Sequence, residues 1–263
     1  TGDNASEAID LFILEALFAT VTNVNFDPAR ISELIKQAQV LLGQQPLVKA
    51  KIGVLAETNV DLRSLKELII YGIKGIAAYA YHAYVLGQKD PDIVAFIRTA
   101  LAATLRADIS VDELVALTMK TGEYGVKVMA LLDKANTDRY GHPQITEVFT
   151  GTKQGPAILV SGHDLLDLEE ILKLTQGKGI NVFTHGEMLP ALAYPKLKQY
   201  KNLVGNFGTS WHNQQKEFAN FNGAIVMTTN CIQKPSESYL ANVFTTGAVG
   251  WPGVAHIPER LAG

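Results

Sequence analysis

A single cysteine, Cys231, is all that the 263 residues supply. One thiol excludes an internal disulfide, and it is too few for an ordinary iron–sulfur cluster, which takes four thiolates. Net charge is also scarce. The 23 basic and 26 acidic residues leave −3, so no field points toward nucleic acid or an anionic membrane. No apolar run reaches the roughly eighteen residues needed to cross a bilayer. The nearest approach to a secretory signal, residues 9–19, is broken by Asp10 and Glu15 and lacks a basic segment before it. There is no phosphate-binding Walker loop, and no GxGxxG follows a strand and opens a helix. The expectation is a soluble cytoplasmic protein, long enough for two domains.

What is present falls into two patterns. Residues 1–145 carry helical periodicity. Leu11, Leu14, Leu17, Phe18 and Val21 recur on one face, as do Leu65, Leu68, Ile69, Ile73 and Ile76. Asp27 before Pro28 and Asp90 before Pro91 each place a capping side chain ahead of a proline at the first helical position. Ser110 and Glu113 have the spacing of a capping box. A weak echo links Ile13, Ala16, Leu17, Ala19 and Thr20 to Ile97, Ala100, Leu101, Ala103 and Thr104. This half is read as a helical bundle.

Residues 150–263 read differently. Short apolar runs occur at 157–160, 180–184 and 224–228, with a fourth at 243–245, and helical segments fall between them at 164–175 and within 188–200. That alternation predicts βαβ units and a Rossmann-like, mainly parallel sheet. The fold expected is therefore a helical bundle followed by an α/β domain.

In such a sheet, ligands bind beyond the carboxyl ends of the strands. Three of the runs end in residues of metal-binding type: Ser161-Gly162-His163-Asp164, Thr184-His185-Gly186-Glu187 and Thr228-Thr229-Asn230-Cys231. Each also has a structural reading. His163 can fill a turn before a helix-capping Asp164, His185 can orient a neighbour, and Glu187 suits a first helical turn. Imidazole, carboxylate and thiolate together suit zinc or iron, and spacing alone does not choose between them. His82, His142, His212 and His256 are weaker candidates. The amide-rich stretch 206–215 is read as a hydrogen-bonded loop.

These segments resemble the hybrid cluster protein family, the hydroxylamine reductases. Residues 184–190, THGEMLP, are similar to a family segment, as are SGHDL at 161–165, TTNC at 228–231 and NQQKEF at 213–218. The helical half agrees in TNVNFD at 22–27, YGIKG at 71–75 and GEYG at 122–125. The resemblance implies a hybrid iron–sulfur–oxygen cluster bound by one histidine, two glutamates and four cysteines, one of them persulfidated. The matching positions are His163, Glu187 and Cys231, with His185 beside them as a supporting residue. It also implies reduction of hydroxylamine to ammonia, with nitric oxide as a further substrate. Electrons would come from an external donor through a cubane cluster on N-terminal cysteines.

The departures from the family are large. The N-terminal cysteines, three cluster cysteines and a second glutamate have no counterpart here, and Leu192 replaces a commonly polar position. The expectation is an internal segment lacking the N-terminal motif and the third domain, inactive alone, with apolar surface left open to self-association. The alternatives are a mononuclear zinc or iron site on the three retained ligands, and a metal-free scaffold or interaction domain.

Overall fold

The computed structural model describes residues 2–41, 43 and 53–258. Contacts divide the chain into two units, Thr1–Val21 with Ile31–Ala135, and Thr22–Arg30 with Asn136–Gly263.

The first unit is helical. Its elements are α1 (Gly2–Ala19), α2 (Pro28–Leu41), α3 (Val60–Val85), α4 (Pro91–Thr104) and α5 (Val111–Tyr140), of which the first three residues of α2 and the last five of α5 are assigned to the second unit. Local chemistry starts these helices. The Asn59 side chain accepts from the backbone of Asp61 and Leu62 at the start of α3, and Asp90 accepts from Asp92 N–H ahead of α4. Ser110 and Glu113 form the reciprocal capping box, with Ser110 N–H donating to Glu113 at 2.9 Å and Glu113 N–H to Ser110 Oγ at 3.2 Å.

The core follows the predicted spacing. Ile69, Ile73, Ile76, Ala77 and Ala80 of α3 are buried against Ile93, Phe96, Ile97 and Ala100 of α4, together with Leu14, Leu114 and Val128. Burying each large side chain contributes about 2 kcal/mol, far more than intrinsic helix propensity. The two echoing segments lie in α1, with Thr20 in the turn after it, and in α4, and both helices pack on α3. Leu68 and Met119, though in phase with apolar neighbours, are 55% and 68% exposed and do not belong to the core. No helix among the described residues is long and apolar enough to cross a membrane.

The second unit is an α/β layer. In chain order it has β1 (Ala157–Ser161), α6 (Leu165–Thr175), β2 (Asn181–His185), a 3-10 helix (Gly186–Ala193), α7 (Pro195–Lys198), β3 (Leu203–Asn206), α8 (Gln214–Ala219), β4 (Ala224–Met227), β5 (Val243–Thr245) and β6 (Ala255–His256). The strands form one sheet in the order β3-β2-β1-β4-β5-β6, and every pairing is parallel. The order reverses between β1 and β4, which makes their carboxyl ends the switch point of a doubly wound sheet. The expected fold class is the one observed: helices first, then a parallel sheet with helices.

Three details differ from expectation. The segment within 188–200 is mostly 3-10 rather than α-helical. Pro190 lies inside it with no N–H to donate, and Pro195 keeps Tyr194 extended (ψ 122°) before the short α7. Strand β3 escaped notice because only Leu203 and Val204 are apolar before Gly205 and Asn206. Strand β6, two residues long, gives no pattern at all.

The segment Thr22–Arg30 belongs with the sheet. Phe26 N–H donates to Gly250 O at 2.8 Å, and Gly250 N–H donates to Val24 O at 3.1 Å. Arg30 donates to the carbonyls of Val249 (2.6 Å) and Gly247 (2.8 Å) and to His256 Nδ1 (2.7 Å). Arginine can only donate, so Nδ1 accepts and the neutral ring carries its proton on Nε2. Burial first, and the Arg30 charge second, push the His256 pKa down to about 4, with Asp27 pulling weakly the other way.

A depressed histidine pKa means that the unfolded chain takes the proton first. His256 therefore contributes stability that is fully present above pH 6.5 and is lost as pH falls toward about 4. His256→Asn keeps an acceptor and removes the titration. Urea midpoints measured between pH 4 and 7 should fall less steeply for the variant than for the wild type; parallel curves would contradict this role.

Candidate functional site

The parallel sheet carries three loops to one edge. His163 follows β1 by two residues, Glu187 follows β2 by two, and Cys231 follows β4 by four. Strands β2, β1 and β4 are adjacent in the sheet, so these three ends are neighbours. Asp164 caps α6 by accepting from Leu166 N–H (2.8 Å) and Asp167 N–H (3.0 Å), which directs the chain away just after His163.

The loops after β1 and β4 interlock. Gly162 has φ +111°, and a Cβ there would sit 2.5 Å from Thr228 Oγ1 and 2.7 Å from both Thr229 N and Thr229 Oγ1. Only glycine fits such an approach. Thr228 N–H donates to Ser161 O (2.9 Å), and its Oγ1 receives Asp164 N–H (3.3 Å). Thr229 Oγ1 receives His163 N–H at 2.7 Å and lies 3.0 Å from His163 Nδ1. Both threonines are buried, at 2% and 1% exposure.

The end of β2 is held by a second network. His185 is fully buried, with Nε2 2.9 Å from Glu217 Oε2 and Nδ1 3.1 Å from Ser161 Oγ. Burial works to raise the Glu217 pKa. Bonds donated by Thr209 and His185 outweigh that and leave it below the ordinary carboxylate range. The ionised carboxylate can only accept, so His185 carries its proton on Nε2 and Nδ1 accepts from Ser161. Burial also lowers the His185 pKa, against the pull of Glu217 and Glu187, which keeps the ring neutral. Both of its nitrogens are thus engaged, and neither is left for a metal.

Cys231 lies in a left-handed turn, φ +86°, a region that costs a residue with a side chain about 1–3 kcal/mol. Gln214, 1% exposed, holds the turn from both sides. Its Nε2 donates to Cys231 O at 2.8 Å, and its Oε1 accepts from Gln233 N–H at 2.9 Å. Cys231 Sγ is 3.9 Å from Glu187 Oε2. Burial first, then the Glu187 charge, then that contact push the thiol up to about 12. Burial lowers the His163 pKa, while the Glu187 charge raises it.

A thiol and a carboxylate brought together, beside an imidazole held neutral, form a donor set that a cation would stabilise. No group of three or more His, Cys, Asp or Glu among the described residues is arranged to hold a metal ion by itself. The chemistry of the donors present suits part of a metal centre: Cys231 Sγ lies 3.9 Å from Glu187 Oε2, and the Glu187 charge reaches His163.

The family model for the Prismane/CO dehydrogenase family matches residues 1–262. The chain belongs to the Prismane/CO dehydrogenase family. Among relatives within it, the hydroxylamine reductase of Kosmotoga olearia is 57% identical, over 97% of this chain and 52% of its own length. That of Petrotoga mobilis is 53% identical, over 97% and 53%. That of Thermosipho melanesiensis is 51% identical, over 98% and 53%. The chain spans about half the length of the curated relatives it matches.

Sequence reasoning passed over the supporting residues. Thr229 and Gln214 act through side-chain bonds to residues 66 and 17 positions away, which no local pattern encodes. The one signal for Gln214 was the density of amides in 206–215, and that loop is hydrogen-bonded as expected, through Asn206, Thr209 and Asn213. Leu192 is a buried residue of the 3-10 helix. His212 is exposed beside Ser210, and His82 is packed edge-on against Phe18.

Gln214→Ala removes both bonds from the Cys231 turn and strands a carbonyl and an N–H. The expected cost is about 2 kcal/mol, read as a lowered urea midpoint. An unchanged midpoint would mean that the strained turn holds itself.

Proposed function

We propose that this chain is the part of a hydroxylamine reductase that supplies an imidazole, a carboxylate and a thiolate to a hybrid iron–sulfur–oxygen cluster. The observation that carries the reading is the approach of Glu187 to Cys231 at 3.9 Å, at strand ends flanking that of His163. Support comes also from relatives named hydroxylamine reductase at 51–57% identity.

His163, Glu187 and Cys231 would hold the cluster. When bound, the cluster supplies the redox chemistry: hydroxylamine takes up two electrons and two protons, the N–O bond breaks, and ammonia and water leave. The residues of this chain orient and bind. The bond from Gln214 fixes the Cys231 turn, and the His185–Glu217 pair fixes the chain where β2 gives way to Gly186 and Glu187. Glu187 is exposed, and His163 and Cys231 are half-buried. Nitric oxide is a second substrate under the same reading, and electrons come from an external donor.

With one cysteine, this chain can give the cluster one thiolate. The other thiolates and the electron relay have to come from outside this sequence, so the chain alone should not turn over. After anaerobic reconstitution with iron and sulfide, oxidation of a reduced dye by hydroxylamine should stay at the protein-free rate. In a full-length protein carrying this segment, Cys231→Ala should lower the same rate at least about a hundredfold, because soft iron loses a thiolate. Turnover by the isolated chain, or a full-length Cys231→Ala protein as active as its parent, would overturn the proposal.

A further inference from the structure

His163 and His185 lie at adjacent strand ends, yet their rings are held differently. His185 is bonded at both nitrogens, by Ser161 and Glu217. Among the described residues, His163 has a partner at one, Nδ1. Thr229 Oγ1 lies 3.0 Å from Nδ1, and the same oxygen receives the His163 backbone N–H at 2.7 Å. The ring is thus fixed to its own main chain through one buried hydroxyl.

We infer that Thr229 is a positioning residue for His163, holding Nδ1 against its hydroxyl so that Nε2 is the nitrogen presented to a metal. This deepens the reading under Proposed function and rests on His163 being a ligand.

The chemistry favours a hydroxyl here. A neutral imidazole has one proton. Once Nε2 gives its electron pair to a metal, that proton must be on Nδ1 and needs an acceptor. Thr229 Oγ1 has two lone pairs: one takes His163 N–H, the other can take Nδ1–H. Without metal, the same hydroxyl can rotate and donate to Nδ1. It therefore serves the ring in both states, which a valine could not do in either and a carboxylate could do in only one.

The surrounding sequence is built for this contact. Thr229 can come so close only because residue 162 lacks a Cβ, which would meet its Oγ1 at 2.7 Å. Its neighbour Thr228 ties the same turn to Ser161 O and Asp164 N–H, so the hydroxyl is not free to drift from the ring. Gly162-His163 and Thr228-Thr229 are in this sense one device divided between two strand ends.

The test uses the whole chain labelled with 15N-histidine and Zn(II) as the probe, followed by long-range nitrogen–proton spectra. In the wild type, Zn(II) should shift Nε2 of His163 to a metal-bound value while Nδ1 stays protonated. Thr229→Ser should behave likewise. Thr229→Val should bind Zn(II) about ten- to a hundredfold more weakly at His163 and lose the single Nδ1–H form. Glu187→Gln should weaken binding without changing which nitrogen is metallated, a distinction that a merely structural effect would not produce. Metallation at Nδ1 in the wild type, no Zn(II) effect on His163, or a Thr229→Val protein with wild-type affinity and the same nitrogen would each overturn the inference. Should Thr229→Val fail to fold, the wild-type and Thr229→Ser assignments still decide it. The readout needs no assembled cluster. Zn(II) at Nε2 together with a full-length Cys231→Ala protein as active as its parent would sink the proposed function and leave the role of Thr229 standing.

Discussion

The close approach of Gly162 to Thr228 and Thr229 is the contact on which the site depends. Strands β1 and β4 are paired to their last residues, Ser161 and Met227, at the point where the order of the parallel sheet reverses, and the loops that leave them are tied together. Here the tie is backbone to hydroxyl, at distances that exclude any side chain at residue 162. It sets where His163 begins and where the chain leaves toward Cys231. The cap that Asp164 provides for α6 then takes the chain away from the edge, leaving the imidazole there.

Electrostatics at this edge run against the ordinary arrangement of a folded surface. A carboxylate placed near a thiol opposes its ionisation, and burial opposes it further, so the Cys231 thiol lies near 12. The turn that brings the thiol there is itself strained, at φ +86°. Strain at the turn and burial of the thiol beside a carboxylate are both sustained by the surroundings rather than favoured locally. They are sustained by Gln214, by the Ile232 N–H bond to Asn23 O at 3.3 Å, and by the packing of Ile232, Phe218 and Tyr239 beneath. A cation at this edge would favour the Cys231 thiolate that burial and the Glu187 charge oppose, which is the physical sense in which the site fits a metal.

Much of this was legible in the sequence because it is local. The capping residues Asp90, Asp164 and Ser110 act within two or three positions, and the apolar runs of β1, β2 and β4 mark buried parallel strands. That three strand ends carry His163, Glu187 and Cys231 could be read from residue order alone. What could not be read depends on distant partners or on very short elements. Nothing in TNVNFD announces that Asn25 and Phe26 bond to residues 248 and 250. Leu68 and Tyr71 have apolar character and helical phase, yet lie on the exposed side of α3. The two-residue β6 exists because His256 meets Thr245 and Arg30, not because of any local preference. Thr229 looked like the lead-in to a cysteine, whereas its hydroxyl is the contact that fixes a histidine.

The account's central claim is that His163, Glu187 and Cys231 ligate one metal centre from three adjacent strand ends. The most direct measurement is a crystal structure of a full-length protein carrying this segment, with anomalous data collected on both sides of the iron absorption edge. The account predicts iron peaks within bonding distance of His163 Nε2, a Glu187 carboxylate oxygen and Cys231 Sγ. Iron located elsewhere, or a peak that leaves any one of the three outside bonding reach, would contradict it.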